Sequence, residues 1–277
     1  MKIGFIGTGN MNGALIKGYA KACVKSGNEI LAFNRTRTKV EKLSKEIDEM
    51  LQSITSDFKI RICDSMSQLV KESGIIVLGV EPQNYHQVMP EIAKDYNSSK
   101  LFISIAAGIT IKYISDNLGV DAHIIRVMPN TPAMVGMGAS AMCRNENVTE
   151  DEFNRAMGIF NSVGITGEVS EDMIHTVIGV SGSGPAYTYM YIDALAKVGV
   201  QNGMDYDMAK NFAAQTVMGA AKLVLAGNEE PSVLCDKVCS PGGTTIEAVN
   251  TLRLNGFEEK VIEGASAAIN RSKEMTK

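Results

Sequence analysis

A chain of 277 residues, 45% hydrophobic and 21% charged, has enough material for one large globular domain or two modest ones. A formal net charge of −4 without a long basic run argues against nucleic acid as a partner, and no apolar stretch reaches the ~18–20 residues of a membrane span. Five scattered cysteines without a CxxC pair read as reduced thiols, and the three histidines offer no metal ligand set, so a reducing cytoplasm is the expected setting.

The chain opens on "MKIGFIGTG", whose apolar run breaks too early for a signal peptide. "KIGFIG" is a short β-rich run, followed by a helical pattern through Val24. Gly7-Thr8-Gly9-Asn10-Met11 therefore follows a strand and opens a helix, the context in which a glycine turn seats a dinucleotide pyrophosphate at a helix N-terminus. Asn12 stands where the third glycine of that fingerprint belongs. The second strand, "EILAFN" (29–34), runs into Asn34-Arg35-Thr36-Arg37 in place of the acidic residue that holds the ribose of NAD. Cations at a helix start oppose its dipole unless an anion compensates, and a 2′-phosphate is such an anion. NADPH is expected in preference to NADH.

A charged helix (38–54) and the apolar runs "KIRIC" (59–63), "GIIVLGV" (74–80), "LFISIA" (101–106) and "HIIRVM" (123–128) follow, with helical stretches between most of them. Such strands predict a parallel sheet covered on both faces. The strand ends "LGVEPQ" and "SIAAGI" place Gly79, Val80, Pro82, Ala106, Ala107 and Gly108 at the carboxyl edge, where these sheets bind cofactors. "GASAMC" (138–143) adds a strand, and a helix starts at Thr149. Beyond Gly164–Ser170 only helical periodicity remains, at 171–179, 185–202, 205–226, 244–254 and 257–275. The expected division is an α/β, Rossmann-type parallel-sheet domain over 1–165 and an all-helical domain over 166–277.

Near the C-terminus, "SPGGTT" (240–245) opens a helix with a proline, two glycines and two threonines. Unpaired N–H groups at such a start suit an anion, although these residues are also ordinary helix punctuation. In the order "GFIGTGNM", "GVEPQ", "SIAAGIT", "RVMPNTPA", "GVSGSGPAY" and "SPGGTT", the chain resembles the pyrroline-5-carboxylate reductases along nearly its whole length. Glu81 departs from the family's common lysine. The resemblance implies hydride transfer from a nicotinamide cofactor to a cyclic imine, giving L-proline. It also implies that the helical domain binds substrate and dimerises, with dimers often gathered into rings. Gly242, Gly243 and Thr244 are then expected to turn N–H groups toward the substrate carboxylate, and Ser240 to hydrogen-bond substrate or nicotinamide. Thr245 aligns with the threonine proposed to bond the imine nitrogen, and Glu171 with an acidic residue near that nitrogen. The competing readings are a hydroxyacid dehydrogenase or other imine reductase of the same build, and a dinucleotide sensor without turnover.

Overall fold

The computed structural model describes residues 1–55 and 58–276, the Lys25 side chain excepted. It builds β1 (Lys2–Ile6), α1 (Asn10–Ser26), β2 (Glu29–Phe33), α2 (Arg37–Leu51), β3 (Arg61–Ile62), α3 (Met66–Glu72), β4 (Ile75–Leu78) and α4 (Tyr85–Ala93). After these come β5 (Leu101–Ser104), α5 (Ile111–Leu118), β6 (His123–Met128), β7 (Gly138–Arg144), α6 (Glu150–Asn161) and β8 (Gly164–Glu168). The eight strands form one sheet in the order β3-β2-β1-β4-β5-β6-β7-β8. Alternate residues of each central strand supply opposite faces. Ile3 and Phe5 of β1 join one core with Ile75 and Val77 of β4, while Ile6, Ile76 and Leu78 join the other. Helices cover both faces, as continuous apolar strands require.

The sheet is parallel except between β6 and β7. The link between these two strands is a short 3₁₀ turn at Thr131–Val135, too brief for a crossover helix, so the chain returns antiparallel. Capping residues fix the starts of several helices. Ser65 caps α3 and Thr110 caps α5, while Thr149 and Glu152 form a reciprocal capping box on α6.

The remainder is α7 (Met173–Val177), a π-helical turn at Ile178–Gly182, α8 (Gly184–Gln201), α9 (Tyr206–Ala226), α10 (Pro231–Val238), α11 (Thr244–Leu254) and α12 (Phe257–Met275). Two compact units result: residues 1–182 with 268–277, and residues 183–267. The expected boundary between 165 and 166 falls inside β8, and residues 169–182 stay with the sheet because Glu171 and Ser181 are bonded to it. Within the second unit α8 and α9 pair closely, Gly199 lying against Ala209. That unit buries few large side chains of its own. Met190, Phe212, Leu225 and Leu254 stay 63–87% exposed. Among the described residues, no helix is long and apolar enough to cross a membrane.

Candidate functional site

Sheet order reverses between β1 and β4, and the loops leaving their C-terminal ends border a cavity of about 480 Å³. Its walls come from Gly7 and Gly9 after β1, from Asn34, Arg35, Thr36 and Lys39 after β2, and from Gly79, Val80 and Glu81 after β4. This is the switch point at which doubly wound sheets bind nucleotides. A smaller adjoining hollow of about 250 Å³ is lined by Thr8, Gly9, Asn10, Lys17, Lys39 and Lys42.

Several features fit a dinucleotide phosphate here. Gly9 caps α1 without a side-chain bond, and a Cβ added to it would project into open space. The Thr8 hydroxyl is buried with no hydrogen-bond partner among the described residues. The glycine loop is braced from two sides. The Gly7 N–H donates to Phe33 O (2.8 Å) and the Thr8 N–H to Asn34 Oδ1 (3.0 Å), while Asn34 Nδ2 donates to Thr36 O (3.0 Å). Asn34 therefore shapes the site by joining two loops.

Asn12 answers the missing third glycine. Its buried Nδ2 donates to Gly7 O (2.7 Å) and Ile6 O (3.3 Å), pinning the loop to the end of β1. The space for that carboxamide exists because Gly79 lacks a side chain, for a Cβ there would overlap it.

The other expected cofactor residues spread around this edge. Met11 packs on the core beneath the loop, and Pro82 starts a 3₁₀ turn at Pro82–Asn84. Ala106 is buried, Ala107 half-buried, and Gly108 lies against the Met275 carbonyl at the end of α12. Arg37 takes another path. It donates to Glu41 (2.9 Å) and Asp64 (2.7 Å), a pairing that raises its pKa, chiefly through the Asp64 bond.

Glu171 is engaged in the same unit. Its Oε1 accepts from the Ile111 N–H (2.8 Å) at the start of α5 and from Arg126 Nη1 (2.9 Å) on β6. Arg126 is fully buried, and its Nη2 has no partner among the described residues. Asn130, in the "MPNTP" stretch, donates to Ser181 O (3.1 Å) and accepts from the Ala139 N–H (2.9 Å), tying β7 to the π-helical turn. Neither Arg126 nor Asn130 was expected to organise this site. A charged residue inside an apolar strand was the one available sign of Arg126.

In the second unit, Ser240 O accepts from the Gly243 N–H (3.0 Å) across Pro241-Gly242. Gly242 has φ +69°, and proline followed by such a glycine is the pattern of a type II turn. Gly243 then caps α11 in extended conformation with no side-chain bond, and a Cβ on it would press into the Ser240 hydroxyl. Thr244 and Thr245 occupy the first helical positions, both exposed. The result is a tight turn delivering N–H groups and two hydroxyls to one helix start.

Two of the three histidines are held structurally. His123 Nδ1 meets the Glu152 carboxylate at 2.9 Å, and His175 Nδ1 meets Ser272 Oγ at 2.9 Å.

Comparison with known proteins agrees with both halves. Residues 2–108 match the family model described as "NADP oxidoreductase coenzyme F420-dependent", and residues 171–275 match "Pyrroline-5-carboxylate reductase dimerisation". The chain is 40% identical to the pyrroline-5-carboxylate reductase of Escherichia coli over 276 residues, covering 100% of this chain and 98% of that one. The crystal structure of the Plasmodium falciparum pyrroline carboxylate reductase with NADP bound is 31% identical, with a TM-score of 0.84 over 100% of this chain and 98% of that one. The structure of the Coxiella burnetii pyrroline-5-carboxylate reductase is 33% identical, with a TM-score of 0.89 over 99% and 98%.

Proposed function

The chain belongs to the pyrroline-5-carboxylate reductase family, and from that membership we propose how its own residues reduce the imine of Δ1-pyrroline-5-carboxylate to L-proline, the last step of proline synthesis. It is an NAD(P)H-dependent oxidoreductase and a homo-oligomer. The nicotinamide cofactor, when bound, supplies the hydride. The chain binds, orients and handles the proton.

Gly7, Thr8 and Gly9, with Asn10 and Met11 opening α1, receive the pyrophosphate on N–H groups at the positive end of the helix. Asn34, Arg35 and Thr36 take the adenosine ribose, and the cations beside them favour NADPH over NADH. The ends of β4 and β5, from Gly79, Val80 and Pro82 to Ala106, Ala107 and Gly108, bound the rest of the cofactor. The residues assigned to the cofactor all lie within 1–165, and those assigned to the substrate and the dimer within 166–277.

On the substrate side, the turn at Gly242-Gly243 and the N–H of Thr244 hold the carboxylate, with Ser240 at its edge. The Thr245 hydroxyl bonds the imine nitrogen, orienting it and relaying its proton. Glu171 bounds the nitrogen side, with Oε1 already anchored by Ile111 and Arg126. Buried thiols at Cys23, Cys63 and Cys143 support a cytoplasmic setting, and a ring of dimers completes the proposed assembly.

The observation that carries this reading is the glycine loop at the sheet's switch point in a chain that also holds an exposed Pro-Gly-Gly-Thr-Thr helix start. The test is oxidation of NADPH, followed by nicotinamide absorbance, with pyrroline-5-carboxylate and with a 2-keto acid. Turnover is expected with the imine alone. Thr245→Ala should lower kcat by about tenfold or more with the helical signal unchanged. Normal turnover by a folded Thr245→Ala protein removes that hydroxyl from the mechanism.

A further inference from the structure

Resting on the NADPH reading above, we propose that Lys39, and not Arg37, is the second cation that reads the cofactor's 2′-phosphate, beside Arg35. A phosphate monoester carries close to two negative charges at neutral pH. One guanidinium offsets only one of them, and Glu81 and Glu91 line the same cavity and add to the negative field. A second cation is needed at the β2 loop.

Two candidates flank Arg35 in the sequence, and the structure separates them. Arg37 is the first residue of α2, but its Nε and Nη1 are bound to Glu41 and Asp64, and it lines neither cavity. Turning it toward a phosphate would break both ion pairs. Lys39 lies one half-turn further on, its N–H donating to Thr36 O (3.1 Å), and it lines both the cofactor cavity and the adjoining hollow. Of the three lysines around that hollow, Lys17 and Lys42 pair with Glu46 at 2.7 and 3.9 Å. Lys39 has no carboxylate partner among the described residues, and its side chain is exposed and long enough to swing between the two spaces. The ammonium acts as a point charge, with Arg35 supplying the planar fork.

Equilibrium binding of 2′,5′-ADP and 5′-ADP, which differ only in the 2′-phosphate, tests this on the whole chain without turnover. Lys39→Ala should weaken 2′,5′-ADP about tenfold and leave 5′-ADP unchanged, the size expected for losing one charge-assisted contact. Lys39→Arg should restore most of that loss, and Arg37→Ala should leave the ratio of the two affinities unaltered. The wild-type ratio should also shrink as salt is added. Unchanged 2′,5′-ADP binding in Lys39→Ala, or an equal loss in Arg37→Ala, overturns the assignment of Lys39. Equal affinity of the wild-type chain for both nucleotides overturns the NADPH reading itself, and Lys39 falls with it.

Discussion

Gly79 has no Cβ because the Asn12 carboxamide occupies that space, and the same carboxamide holds the Gly7 and Ile6 carbonyls. A change at Gly79 is therefore transmitted to the glycine loop through one side chain. Gly79→Ala is expected to push Asn12 off both carbonyls and raise the KM for NADPH about thirtyfold, with a smaller effect on the KM for the imine, since a buried neutral hydrogen bond contributes ~1 kcal/mol and two are lost. Asn12→Gly forfeits the same two bonds without a clash, so Gly79→Ala added to it should raise that KM little further. Steady-state kinetics on the two single variants and the double variant measure this coupling. If the two changes simply add, the contact does not control the loop. Little of this was legible in advance. Asn12 was visible as a departure from the glycine pattern, but the glycine that makes room for it lies 67 positions away, just after β4, where single-sequence reasoning has no reach.

At the scale of elements, Glu171 draws α5 and β6 onto the segment that precedes α7. Glu171→Gln keeps an acceptor for the Ile111 N–H and removes the charge facing Arg126, which is 2% exposed. Leaving a buried guanidinium without its counter-ion costs about 3 kcal/mol, so the thermal midpoint should fall by several degrees even where the substrate KM barely moves. A large KM change at unaltered stability would instead make Glu171 chiefly a substrate contact. Further along, His175 of α7 is joined to Ser272 of α12. Burial, then the charges of Arg126 and Lys273, lower its pKa below the ordinary 6.5, with Asp172 and Glu171 pulling the other way. The unfolded chain takes up a proton near 6.5 that the folded chain resists, so this group costs no stability above that pH and destabilises the fold as pH falls below it. His175→Gln should accordingly flatten the decline of the melting midpoint between neutral pH and mild acid. An unchanged decline would place the acid sensitivity elsewhere. Strands were the best-read elements, because β1, β4, β5 and β6 are continuous apolar runs bounded by turns. The antiparallel return of β7 was not readable, since direction depends on connection length and not on strand composition. Helix α10 was missed because its eight residues make only about two turns, too few for an apolar periodicity to stand out.

The whole molecule leaves its two units unequally finished. The first has two apolar cores, one on each face of the sheet, whereas among the described residues of the second only Ala196, Ala209 and Ala213 are buried hydrophobics. Small side chains at these positions let helices approach closely but bury little area, and apolar burial contributes roughly 25 cal/mol per Å². Phe212 and Leu225, both on α9, stay 63% and 76% exposed in the single chain. Residues 171–275 match a dimerisation model, and Phe212 and Leu225 are accordingly expected to be buried by a second copy. Folding of the helical unit should then be coupled to association, with a stability that rises with protein concentration. Replacing both Phe212 and Leu225 with Glu should shift the protein to monomer in sedimentation experiments. The concentration dependence of the melting midpoint should disappear with the dimer, and turnover should fall. The nucleotide-binding unit has its own core, so 2′,5′-ADP should still bind the monomeric variant with wild-type affinity. A variant that remains dimeric would move the interface off α9. A monomer with full turnover would show that one copy suffices for catalysis and that dimerisation serves stability alone.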